Sequence, residues 1–88
     1  MKIYYSSRFA VEYKKLPLRI KKIAEKKEQI FRNNPFDSRI KTHKLKGSLR
    51  GFFSFSINQK HRIVFEMIKS DIIWFHSVGD HSIYKLWE

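Results

Sequence analysis

The chain has 88 residues, 42% hydrophobic and 16% aromatic, which excludes a disordered basic tail and predicts a folded domain. A chain this short buries only about 60 to 65% of its unfolded surface, so one domain over residues 1–88 needs a core dense in large side chains; eight Phe, four Tyr and two Trp supply it. Lys and Arg number 19 against 8 Asp and Glu, a formal net charge of +11 that points to a polyanion or an acidic partner, and the absence of cysteine excludes disulfides and thiolate zinc sites.

The first residues, MKIYYSSRF, lack the apolar run of a signal peptide, and no stretch reaches the roughly 18 apolar residues of a membrane span. A cytoplasmic chain without a membrane partner is expected. Ile3, Tyr4 and Tyr5 predict a short first strand, and Ser6 and Ser7 are good helix N-caps. Phe9, Tyr13 and Leu16 then fall on one helical face up to Pro17, which ends the first helix and opens a second. Ile20, Ile23, Ala24, Ile30 and Phe31 carry that helix to about Asn33, where Asn34-Pro35 stops it. A loop is expected through about Thr42.

Beyond the loop the period changes to two. Phe53, Phe55 and Ile57 predict one strand, Asn58-Gln59-Lys60 a turn, and Ile63, Phe65 and Met67 an antiparallel partner. After Lys69-Ser70-Asp71, the apolar run Ile72 to Phe75 reads as a central strand covered on both faces and ended by Gly79, with Ile83 to Trp87 as a tail. The pattern is α+β, in the order β-α-α-β-β-β, with a helical hairpin packed on one face of a small, mostly antiparallel sheet.

All of the charge excess lies in residues 1–50, which hold 15 basic and 4 acidic side chains. Lys14, Lys15, Lys21, Lys22, Lys26 and Lys27 fit either solvated helix faces or a binding surface. Arg39, Lys41, Lys44, Lys46 and Arg50 stand in loop-like sequence beside Pro and Gly, where a phosphate-binding patch is the better reading.

The eight carboxylates are scattered without paired spacing, which disfavours two-metal chemistry. Metal-free cleavage of RNA needs a base for a ribose 2′-OH, a cation on the phosphorane and an acid for the leaving oxygen. Among four histidines, His43 and His81 stand in exposed, loop-like contexts, whereas His61 and His76 lie within strand patterns and are read as structural. Arg62 interrupts an apolar strand; it either pairs with Glu66 on the same face or clamps a phosphate through its guanidinium fork.

Three segments carry a family resemblance: Asn34-Pro35-Phe36; His43-Lys44-Leu45-Lys46-Gly47-Ser48-Leu49-Arg50-Gly51-Phe52 leading into Asn58-Gln59-Lys60-His61-Arg62-Ile63-Val64-Phe65; and Gly79-Asp80-His81-Ser82-Ile83-Tyr84. In this order they resemble the RelE/ParE toxin superfamily, and within it the YafQ-like and YoeB-like branches. The resemblance implies a ribosome-associated endoribonuclease, the toxin of a type II toxin–antitoxin pair, that cuts messenger RNA in the ribosomal A site without a cofactor. It further implies a cognate acidic antitoxin as partner, with a toxin that is monomeric alone and assembles with that antitoxin. Residue by residue, it makes His43 the general base, Arg62 the holder of the scissile phosphate and His81 the general acid. Lys44, Lys46 and Arg50 become RNA or phosphate contacts, and Phe52 and Tyr84 base-stacking side chains. Ser56 and Lys60 stand where YafQ-like sites carry a histidine and an aspartate, so the site is expected to be a hybrid. The alternative within the superfamily is a ParE-like toxin, a non-enzymatic poison of DNA gyrase.

Overall fold

The computed structural model describes residues 1–80, 82 and 83. Five strands form one sheet: β1 (Lys2–Tyr5), β2 (His43–Lys44), β3 (Phe53–Ser56), β4 (Arg62–Lys69) and β5 (Ile72–Gly79), in the spatial order β1-β5-β4-β3-β2. Only β1 and β5 run parallel; the other three pairings are antiparallel. Two helices, α1 (Ser7–Lys14) and α2 (Leu18–Asn33), link β1 to the rest, as the helical spacing and Pro17 predict.

The core is aromatic. Phe31 of α2 is fully buried, and its ring lies 4.8 Å from that of Phe55, 4.9 Å from Phe65 and 5.4 Å from Phe75, one ring from each of the three inner strands. Phe9 of α1 packs on the same floor, 5.6 Å from Phe75. These rings come from every second strand residue, so one sheet face is committed to the helices and the other residues face away.

α1 is tied to β5 by polar contacts as well. Ser6 caps the helix by accepting from the Phe9 amide at 3.0 Å, and its hydroxyl donates to the His76 carbonyl at 2.8 Å. Further along the helix, a Glu12 oxygen accepts from the buried Ser77 hydroxyl at 2.6 Å and from the Val78 amide at 3.1 Å. Val78 lies beyond the residues of β5 that pair with β1, so Glu12 satisfies an amide at an uncovered edge.

Two expectations need correction. The Ile72–Phe75 run is not covered on both faces among the described residues: Trp74 is 42% exposed, and only Ile73 and Phe75 point into the core. Its apolar character comes from an aromatic that faces away from the helices. The expected order has four strands and lacks β2, a two-residue strand on the sheet edge just past the loop that ends at about Thr42, too short for alternation to announce it. The sequence between α2 and β3 also winds into 3-10 turns at Ser38–Ile40 and Gly47–Leu49. Among the described residues no helix is long and apolar enough to cross a membrane.

Candidate functional site

The register assembles the sheet face that points away from the helices. His43 pairs with Ser54, Ser54 with Val64 and Ser56 with Arg62, so these side chains share a face. Ser54 and Val64 are buried in its floor. His43 and Arg62 are two strands and two residues apart, which corresponds to about 12 Å between their Cα atoms from standard sheet spacings. Both side chains are long enough to converge on a group lying between them.

His43 is held through its ring. Nδ1 lies 3.2 Å from the Lys41 carbonyl oxygen and Nε2 lies 3.4 Å from the Ser54 hydroxyl. A carbonyl only accepts, so the Lys41 oxygen selects the tautomer protonated at Nδ1 and leaves the Nε2 lone pair facing the sheet. Lys41 itself has φ 52° and ψ 46°, the left-handed conformation that a lysine adopts only at a cost of about 1–2 kcal/mol. That turn brings the carbonyl onto the imidazole.

Arg62 does not pair with Glu66. Its Nη1 donates to the Asn58 carbonyl at 2.5 Å and to the His61 carbonyl at 3.1 Å, closing the turn between β3 and β4. Glu66 instead meets His76, whose Nε2 lies 3.0 Å from a carboxylate oxygen. Arg62 also lines a cleft of about 260 Å³, together with Lys27, Arg39 and Lys41. Lys27 comes from α2, where the sequence allowed it to be a solvated helix residue; the fold brings it against the sheet end.

The basic loop lies at the opposite end of β3. Lys44, Arg50 and Phe52 line one groove of about 330 Å³, while Lys46 is exposed at the start of the second 3-10 turn and does not line it. Gly51 has φ 98°, a conformation that side-chain-bearing residues rarely adopt, and it reverses the chain between Arg50 and Phe52. The Phe52 ring stands edge-on to His76 with centroids 5.2 Å apart, and Trp74 lies 5.3 Å from the same imidazole. His76, Glu66 and Trp74 thus join the face that carries His43. A period-two reading of Trp74 and His76 would have found them; treating the strand as doubly covered hid the alternation.

His81 and Tyr84 lie outside the described residues. Before them, Gly79 is packed so closely by Ile83 that an added Cβ would come within 2.5 Å of the Ile83 side chain, so a glycine is needed where β5 ends. Next to the cleft, Arg39 donates to both carboxylate oxygens of Asp37 at 3.0 Å. Hydrogen bonds from the Arg39 side chain and amide hold the Asp37 carboxyl down at about 2. On the helical side of the sheet, Tyr5 donates to Glu28 at 2.6 Å, and burial followed by that carboxylate pushes the phenol above its ordinary value.

The model of the YoeB-like toxins of bacterial type II toxin–antitoxin systems matches residues 5–82. Among solved structures, the fold is similar to a YoeB/ParE toxin from Agrobacterium tumefaciens, with 21% identity, a TM-score of 0.78, and 92% of this chain and 99% of that one covered. It is similar to YafQ from E. coli strain BL21(DE3), with 20% identity, a TM-score of 0.78 and coverage of 94% and 96%. It is also similar to the toxin chain in the YoeB–YefM complex from Staphylococcus aureus, with 25% identity, a TM-score of 0.75 and coverage of 92% and 97%. No curated protein sequence matches the chain. The family match runs from the last residue of β1 past the end of β5 and takes in His43, Arg62 and His76 of the far face: the chain belongs to the YoeB-like toxins of bacterial type II toxin–antitoxin systems.

Proposed function

We propose that this toxin is a ribosome-associated endoribonuclease that cleaves messenger RNA by attack of a ribose 2′-OH, without a metal. The observation that carries the reading is the shared face of His43 and Arg62, the first with its basic nitrogen selected at Nε2 and the second lining a basic cleft. In the reaction, His43 removes the 2′ proton and the O2′ attacks phosphorus. Arg62 neutralises the charge that gathers on the equatorial oxygens. The bond from phosphorus to O5′ then breaks, and His81 gives that oxygen a proton. The products are a 2′,3′-cyclic phosphate and a free 5′-OH.

Lys44, Lys46 and Arg50 hold the RNA backbone, and Phe52 and Tyr84 stack on bases. Arg62 and the lysines are the cations that carry phosphorane charge in this mechanism. The partner is a cognate acidic antitoxin, in keeping with the net charge of +11 and with the YefM and DinJ complexes of similar toxins from S. aureus and E. coli. The test is cleavage of a free oligoribonucleotide in excess EDTA followed by analysis of the ends. Retained activity with 2′,3′-cyclic phosphate products is expected; a strict Mg²⁺ requirement or 5′-phosphate products would overturn the mechanism.

A further inference from the structure

The cleft beside Arg62 is larger than one guanidinium needs. Four cations line it, Lys27, Arg39, Lys41 and Arg62; no acidic side chain stands in its wall among the described residues, and Asp37, bonded to Arg39 beside it, offsets one of the four charges. They come from three separate places, α2, the loop after it and β4, so the cluster is made by the fold and not by a run in sequence. Between the cations stand the neutral hydrogen-bonding groups of Ser56, Asn58 and Gln59. The backbone supplies a second sign of a built site: Lys41 is the only non-glycine residue with positive φ among the described residues, and its turn sets the lysine in the cleft wall while its carbonyl meets His43.

We infer that Lys27, Arg39 and Lys41, with Arg62 on the shared wall, seat a backbone phosphate of the RNA next to the scissile one. That the ligand is RNA rests on the proposed endonuclease function. An acidic peptide is the rival occupant, but among the described residues the only apolar one in the lining, Ile57, is 1% exposed and offers no anchor for an apolar side chain. Lysine point charges beside a guanidinium suit phosphate oxygens, and an RNA strand lying between His43 and Arg62 would continue past Arg62 into the cleft. The seat fixes the register of the RNA and draws affinity from counterion release.

The experiment is anisotropy binding of a short, non-cleavable 2′-O-methyl oligoribonucleotide to the whole protein over a range of salt. Lys27→Gln/Lys41→Gln keeps most of each side-chain stem and should lower the slope of log affinity against log salt by about 0.7, the share of one neutralised phosphate on a single strand. Arg19→Ala/Lys22→Ala removes the same charge from the exposed face of α2 and should leave the slope nearly as it was. An equal fall in that control would mean diffuse attraction and overturn the seat. So would wild-type oligonucleotide binding by the cleft variant together with lost affinity for a polyglutamate peptide, which would make the cleft a protein-docking patch. If the wild-type protein cuts no RNA while the cleft variant alone loses slope, the phosphate seat stands and the cleavage reading fails.

Discussion

A single backbone oxygen decides what His43 can do. The Lys41 carbonyl fixes the proton on Nδ1 and leaves Nε2, which accepts from the Ser54 hydroxyl, as the basic nitrogen on the sheet face. His43 and Arg62 were legible as candidates because they stand in an ordered motif, but neither the left-handed turn at Lys41 nor the contribution of Lys27 is visible there, since both depend on how α2 and its following loop meet the sheet. Asp37 acts at the same scale, by offsetting the charge of Arg39. Its carboxyl lies at about 2, below the ordinary value of about 4, so its ion pair persists at every pH at which the protein would work. A carboxyl lowered in this way stabilises the fold above the ordinary value, and the contribution is lost as pH falls from about 4 through 2. NMR titration should place the Asp37 midpoint near 2 and return it to the ordinary range in Arg39→Ala; an unmoved midpoint would contradict the pairing. Asp37→Asn should tighten oligonucleotide binding at low salt, because Arg39 then faces the cleft uncompensated.

At the scale of elements, the clasp between α1 and β5 positions the whole face. Glu12 satisfies the buried Ser77 hydroxyl and the Val78 amide together, so Glu12→Ala leaves two polar groups without their acceptor. Each buried unsatisfied group costs about 1–3 kcal/mol, and each kcal/mol lowers the melting temperature of a domain this size by roughly 4–8 °C. Glu12→Gln keeps an acceptor oxygen and should retain most of the stability; equal melting of Glu12→Ala and wild type would show that the clasp contributes nothing. The alternation of β3 and β4 and the helical stripe ending at Phe31 were readable because one face of each is buried in the aromatic core. β2 was not, because two residues cannot display a period. The far-face role of Trp74 and His76 was obscured because an exposed tryptophan looks, in sequence, like a buried one.

The whole molecule is an aromatic wedge carrying a charge of +11, and its two proposed partners, RNA and an acidic antitoxin, answer to the same field. Association with the antitoxin should therefore slow as salt rises, its on-rate falling far more than its off-rate grows, which stopped-flow binding would check. A salt-independent on-rate would place the recognition elsewhere than on the basic surface. The family itself was legible from the order of three short segments, because together they specify the end of α2, the basic loop with its hairpin, and the end of β5. The proposed role of the face shared by His43 and Arg62 is chemistry beyond binding. Its most direct test is single-turnover cleavage of ribosome-bound messenger RNA by His43→Ala, with affinity measured on the same variant. A fall in rate of at least about 10²-fold at nearly unchanged affinity is the expected result. Cleavage by His43→Ala at the wild-type rate would contradict it.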